Sequence, residues 1–377
     1  MPAVINTNIS SLNTQRNVSA SGASLATSIQ RLSTGLRVNS AKDDAAGMAI
    51  AERMSAQVRG LNVAARNAND GVSLAQTAEG ALGKIGEMVQ RIRELAVQSS
   101  NATNTQTDRD ALQQEVSELK SEIDRVAGST NFNGTKLING SFSSAKFQVG
   151  ADAGESITVS SITNASLAGM GSVNRASKES STAITDLTAT ALADLTINGT
   201  DIGVLGAAGT TQERQAQVVD AINRVSTTTN VGAYLDTANN KIVLTSNSDI
   251  TITGAAGAKV GFVAADSATA SASANMASLD ISSYGGAQLA IQQADAALKQ
   301  VNTARASLGA LQSRFENAVS NIQIATENVT AARSRIMDTD FATETANMTR
   351  AQILQQAGNA MLSQANQMPQ QVLALLR

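Results

Sequence analysis

The chain has 377 residues, 42% hydrophobic but only 2% aromatic, and its 28 basic and 31 acidic side chains leave a net charge of −3. It contains no His and no Cys, which excludes a Ser-His-Asp triad, a Cys-His dyad, an HExxH zinc site, disulfides and Fe–S clusters. The slight acidity gives no electrostatic footprint for nucleic acid, and no apolar run approaches the ~18–20 residues of a membrane span, so neither nucleic-acid binding nor membrane insertion is expected.

With so few aromatics the core must come from Leu, Ile, Val, Ala and Met, which suits helix-on-helix packing. The opening MPAVINTNISSLNTQRN has no basic region followed by an apolar block, so no Sec-type signal is expected. Leu25, Ile29, Leu32 and Leu36 then step by four, three and four, a heptad seam. Ser40 with Asp43 three residues on reads as the N-cap of the next helix, and Asp43-Asp44 as charges at its positive end rather than a catalytic acid pair. That helix carries Val58, Leu61, Ala65, Ala68, Val72 and Ala75, slips near Ala78, and resumes on Leu82, Ile85, Val89, Ile92 and Leu95. Gly83-Lys84 within it is no phosphate loop, because Ile85 stands where Ser or Thr is needed. After the polar SSNATNTQTDRD, a third helix runs on Leu112, Val116, Leu119, Ile123 and Val126 and pairs antiparallel with its predecessor.

Residues 128–280 change texture. Asn133-Gly134, Asn139-Gly140 and Asn198-Gly199 are tight-turn dipeptides, and KFQV and SITV are short alternating strands. Residues 160–190 and 264–278 read as loops. Between them DLTINGTDIG predicts a hairpin, TQERQAQVVDAINRV an amphipathic helix and KIVLTSNSDITIT two strands, a small α+β insert with its own core. Helix returns near residue 285 on Leu298, Val301, Arg305, Leu308, Leu311, Phe315, Val319, Ile322 and Val329. After Asp338-Thr339-Asp340, a last seam runs through Ala351, Leu354, Gly358, Met361, Ala365, Met368, Val372 and Leu375, with Pro369 as a kink point. Met361 and Met368 read as core fillers. The fold class is mostly α with β: a long-helix hairpin with paired N- and C-terminal coiled-coil segments, a β-hairpin region and a small inserted α+β variable domain. One apolar stripe per terminal segment is too little burial to offset the entropy of ordering it. Loose ends that order when copies pack together, and hence self-assembly, follow.

The segments INTNISSLNTQRN, IQRLSTGLRVNSAKDDAAGMAIAERM, LAQTAEGAL with QRIRELAVQSSN, and QILQQAGNAMLSQANQMPQQVLALLR, in this order, resemble bacterial flagellin. The match covers about residues 1–150 and 285–377, and the insert resembles a small repeat of flagellin variable regions. The resemblance implies a structural subunit, not an enzyme and without a cofactor, that builds the extracellular flagellar filament after unfolded export through the flagellar type III pathway. Residues 1–42 and 339–377 would form the inner tube, 43–175 and 281–338 a helical core domain with β-hairpins, and 176–280 the variable outer domain. The seam residues Leu25, Ile29, Leu32, Leu36, Leu354, Met361 and Met368 would be assembly contacts. Partners implied are other copies of the chain, an export chaperone that holds the C-terminal helix, the filament cap and hook-junction proteins, and innate immune receptors of a host. Gln90, Arg91, Leu95 and Glu115 match the segment contacted by Toll-like receptor 5, and Arg91 with Leu95 would supply a charged anchor beside an apolar plug. The alternative for these is packing, with Leu95 between helices and Arg91 solvated or bridging subunits. Val372, Leu373, Leu375, Leu376 and Arg377 resemble the tail read by NAIP-family receptors, against inner-tube packing. The Ser/Thr-rich insert could carry O-linked glycans. Rival readings are a hook–filament junction protein, which shares such terminal helices, and a secreted helical adhesin. A filament-borne peptidase would need a zinc motif that a chain without His cannot supply.

Overall fold

The computed structural model describes all residues except 1–6, 102, 192–194, 237–238, 255–256 and 375–377. Contacts divide the chain into two compact units, one of Met1–Asn69, Gln148–Ile157 and Asn317–Arg377, the other of Asp70–Phe147 and Thr158–Glu316. Two long helices, α2 (Ala45–Ser99) and α7 (Tyr284–Met337), contribute residues to both.

In the first unit, α1 (Ile9–Thr34) packs along α8 (Phe341–Ala374), so the chain ends pair as the seams predicted. The Asn8 side chain caps α1 by accepting from the Ser11 N–H at 3.0 Å. Gly35 ends it in the left-handed region at φ +72°, a conformation that costs little only without a Cβ. The reversals after α1 and α7 are stitched together by backbone: Arg37 N–H donates to Met337 O at 2.6 Å and Thr339 N–H to Gly35 O at 3.0 Å. Asp340 starts α8 by accepting from the Ala342 N–H at 2.9 Å and from the Thr343 hydroxyl at 2.9 Å. The start of α2 differs from the expectation. Asp43 accepts from the N–H groups of Asn39 and Ser40, closing a turn outside the helix. The cap is instead Asp44, whose carboxylate takes the Gly47 N–H at 2.8 Å. The Ser40–Asp43 pattern thus builds the turn, and the next acid down caps the helix.

The α1–α8 contact is close because its inward residues are small. Ala351 and Ala365 are buried, and a Cβ on Gly358 between them would stand 2.5 Å from Val18 Cγ2. Asn8 Nδ2 donates to Ala365 O and Ser11 Oγ to Asn366 Oδ1, both at 2.7 Å. Arg31 reaches the nearly buried Glu344 at 3.7 Å. A second small core in this unit joins Leu61, Ala64 and Ile322 to Val149 and Ala151.

In the second unit, the remaining parts of α2 and α7 lie with α3 (Gln106–Ser129). The buried stripe of α2 runs unbroken through Ala68, Gly71, Ala75, Ala78, Leu82, Ile85, Val89, Ile92, Ala96 and Ser99. There is no slip near Ala78; the small residues there conceal a continuous three-four step. Gly71 is small because the Phe315 ring of α7 occupies the space a Cβ would need, and Phe147 meets that ring edge-on at 5.5 Å. The α7 stripe is likewise carried by alanines, Ala287, Ala290, Ala294 and Ala297 leading into Val301, Leu308 and Phe315. Leu298 is only half-buried and Arg305 is exposed, correcting their placement in the stripe.

The β-rich middle begins with β1 (Asn131–Phe132) and β2 (Thr135–Lys136), a hairpin whose turn residues Asn133 and Gly134 have φ of +48° and +81°. Asn139-Gly140 makes no hairpin: the Asn139 side chain accepts from the Ser141 N–H at 3.0 Å, a local Asx turn. β3 (Ala145–Gln148) pairs with β4 (Ser156–Val159). Residues 160–190 and 264–278, read as loops, contain β5 (Val173–Glu179) and β11 (Ser271–Ala274). Their polar alternation belongs to a sheet with one wet face. The strand hairpin β6 (Thr196–Ile197) and β7 (Thr200–Asp201) turns on Asn198-Gly199, α4 (Thr211–Arg224) is the expected amphipathic helix, and α5 (Ser226–Thr229) leads into β8 (Val231–Asp236) and β9 (Lys241–Ser246). β10 (Ile252–Thr253) and the short α6 (Gly257–Val260) follow. The sheets run β11-β5-β9-β8 and β10-β6-β7. They enclose a core of Ile197, Leu205, Val218, Ile222, Ile242, Leu244, Ile252 and Phe262.

Candidate functional site

The terminal helices keep little of their apolar surface to themselves. Seam residues divide by face: Leu25, Leu32 and Leu36 are half-buried, whereas Ile29 is exposed. On α8 the heptad alternates. Ala351, Gly358 and Ala365 turn inward, while Leu354 and Met361 turn outward with 53% and 62% of their surface exposed. Met361 is therefore no core filler within one copy. A groove of about 460 Å³ lined by Val18, Leu354, Ala357, Gly358 and Met361 follows the seam between α1 and α8, with Leu354 and Met361 at its rim. Ile9, Leu12, Ile353 and Phe341 are exposed as well. Ile353 and Phe341 were missed because they lie off the heptad step; only a helix with two working faces would count them. The side chains of Met368, Val372 and Leu373 lie outside the described residues, as do Leu375, Leu376 and Arg377 entirely; α8 continues as helix past Pro369 to Ala374.

The second cluster lies on α2 and α3. Arg91 Nε donates to Glu115 Oε1 at 2.8 Å across the two helices, and its Nη1 to Glu94 Oε2 at 3.1 Å. These bonds, that to Glu115 foremost, raise the guanidinium pKa above its ordinary value. Both residues of the cross-helix pair remain exposed, as does Gln90. Leu95 is separate from them, 1% exposed and packed into the unit's core. The apolar side chain that does reach the surface is Val97, 48% exposed, two residues on. Spacing could not distinguish the two, since a four-residue step holds one helical face while Leu95 lies on the buried stripe's edge. Arg93, on the neighbouring face, is held by Asp295 of α7 at 2.6 Å. Among the described residues no three His, Cys, Asp or Glu side chains come together as metal ligands. Among the described residues no helix is long and apolar enough to cross a membrane.

Paired terminal helices with apolar side chains on their outer side, and a β-rich insert between long helices, are the build of a helical structural protein. The model of the bacterial flagellin N-terminal helical region matches residues 5–143 and that of the C-terminal helical region residues 291–376. Flagellin B of Vibrio anguillarum is 41% identical over 387 residues, covering 99% of each chain. B-type flagellin of Pseudomonas aeruginosa is 38% identical over 489 aligned positions covering all of both, so it carries residues this chain lacks. Among solved structures, FliC from Burkholderia pseudomallei is 26% identical, covering 65% of this chain and 99% of its own, with a TM-score of 0.41. The chain belongs to the bacterial flagellin family.

Proposed function

We propose that the chain is the subunit that assembles into the extracellular flagellar filament for motility. The observation that carries this is the outward face of α1 and α8. Leu12, Ile29, Leu354 and Met361 stand exposed on helices that already pack against each other through small residues such as Gly358, and side chains of this kind gain burial against further copies. In this reading residues 1–42 and 339–377 line the inner tube, 43–175 and 281–338 surround it, and 176–280 face outward. Unfolded export through the flagellar type III pathway, with a chaperone on the C-terminal helix, suits ends that order on assembly. The filament cap and hook-junction proteins would be its neighbours in the organelle. A junction or adhesin role is less well supported, because relatives named flagellin match the whole length. Seeded polymerisation of purified subunit, followed by electron microscopy and circular dichroism, tests the reading. Long filaments with a gain of helix support it; a fully helical subunit that forms no filaments with any seed refutes it.

A second role rests on the α2–α3 surface. The exposed Gln90, Arg91 and Glu115 with Val97 offer a charged, partly apolar patch for an innate immune receptor of the Toll-like receptor 5 type, with Leu95 holding the helix beneath it. The C-terminal Val372, Leu373, Leu375, Leu376 and Arg377 remain candidates for a NAIP-type receptor. A receptor reporter assay on variants at each set tests both.

A further inference from the structure

The outer face of the four-stranded sheet holds a groove of about 380 Å³ closed on one side by the first turns of α7. The pairing register puts Gly232 opposite Thr245, and Thr245 opposite Ser177. Side chains alternate along strands, so Arg175 and Tyr234 share this face while Ala176, Ala233 and Leu244 turn to the core. The chain has two tyrosines and no tryptophan, and both tyrosines are here. Tyr234 and Tyr284 have ring centroids 6.0 Å apart at 55°. Gly285 has to be glycine, because the Tyr234 ring occupies the place of a Cβ. Two aromatic rings are thereby fixed as a bent platform at the groove's edge.

Arg175 is the groove's cation. Its Nε is buried without a hydrogen-bond partner, and it makes no ion pair among the described residues. The nearby carboxylates are engaged elsewhere: Lys241 holds Glu179 at 3.0 Å and Asn239 donates to Asp236 at 2.8 Å. The side-chain amides of Asn230, Gln288 and Gln292 also line the groove and make no hydrogen bond among the described residues. The amides of Asn230 and Gln292 are exposed and that of Gln288 half-buried, so the one buried donor of the groove left without an acceptor is Arg175 Nε, and such a donor is costly unless a ligand completes it.

We propose that this groove binds a carboxylate-bearing saccharide of the hexuronate type. Each part of the sugar has a counterpart. The planar guanidinium suits a carboxylate through two parallel N–H donors, the amides suit ring hydroxyls, and the tyrosine faces suit the C–H face of a pyranose. The volume lies in the range of small-ligand sites. Arg175 is the one charged side chain lining the groove, which favours a monoanion over a phosphate dianion, whose second charge would have no cation to meet. The site is independent of whether the chain polymerises.

The tyrosines make the test direct, because all of the protein's tyrosine emission comes from the groove. Unpolymerised full-length chain is titrated with glucuronate, glucose and acetate while tyrosine fluorescence is read. A saturable change with glucuronate, about tenfold or more weaker with glucose and with acetate, is expected. Arg175→Gln should weaken glucuronate binding about tenfold or more with unchanged circular dichroism. Tyr284→Ala, at an exposed helix start, should weaken it as well by calorimetry and serves if the first variant fails to fold. No saturable response to glucuronate, an equal response to glucose, or undiminished binding by both variants overturns the proposal.

Discussion

Replacing Leu354 and Met361 together by Ser separates folding from assembly. In one copy these side chains keep 53% and 62% of their surface in water, so removing them should leave the subunit's melting nearly unchanged, as for surface positions generally. Burying a large apolar side chain completely gains about 1.5–3 kcal/mol, and roughly half of that is still available here. If a neighbouring copy takes it up, the double variant loses about 2–3 kcal/mol per added subunit, which raises the critical concentration about 30- to 150-fold. Sedimentation of seeded polymerisation mixtures at graded concentrations measures that quantity, and thermal circular dichroism monitors the subunit alongside. A critical concentration within about twofold of the parent would refute the argument. So would a melting loss large enough to explain the assembly defect by itself.

Other outcomes follow from the packing and the caps. Phe315→Ala, at a fully buried ring meeting Phe147 and Gly71, should cost about 3–5 kcal/mol in chemical denaturation. Gly358→Val should push α8 off Val18 and cost about 1–3 kcal/mol, read as a smaller gain of helix on seeded polymerisation; an unchanged gain would contradict the close contact described above. Arg91→Ala should lower Toll-like receptor 5 signalling about tenfold or more without moving the melting curve, whereas Leu95→Ala should destabilise the fold by about 2–5 kcal/mol. Hydrogen bonds from the Thr343 hydroxyl and then from the Thr343 and Ala342 N–H groups hold the Asp340 carboxyl below its ordinary value. A carboxyl depressed in the folded state stabilises above its unfolded pKa of about 3.9 and loses that contribution as pH falls through its folded value. Asp340→Asn, which keeps an acceptor but does not titrate, should therefore show a shallower loss of helix as pH falls below about 3.9; an unchanged acid profile would count against the cap.

The helices, their order and the pairing of the two ends were legible in the chain because a three-four apolar step survives in the residues themselves. So was the insert, through Asn198-Gly199 and the amphipathic run that became α4. Tertiary structure decided everything that depends on which face a residue turns to. Ala75, Ala78 and Ala294 count weakly as apolar in a sequence, yet they are fully buried, because a small side chain lets neighbouring elements approach, just as Phe315 needs the space left by Gly71. Leu354 and Leu95 look alike in their heptads, but one stands in water and the other is enclosed. Burial is set by what lies opposite, and that neighbour comes from residues hundreds of positions away. The groove of Arg175, Tyr234 and Tyr284 left no trace in the sequence for the same reason: its members come from two strands and a helix start and meet only when the sheet's register is set.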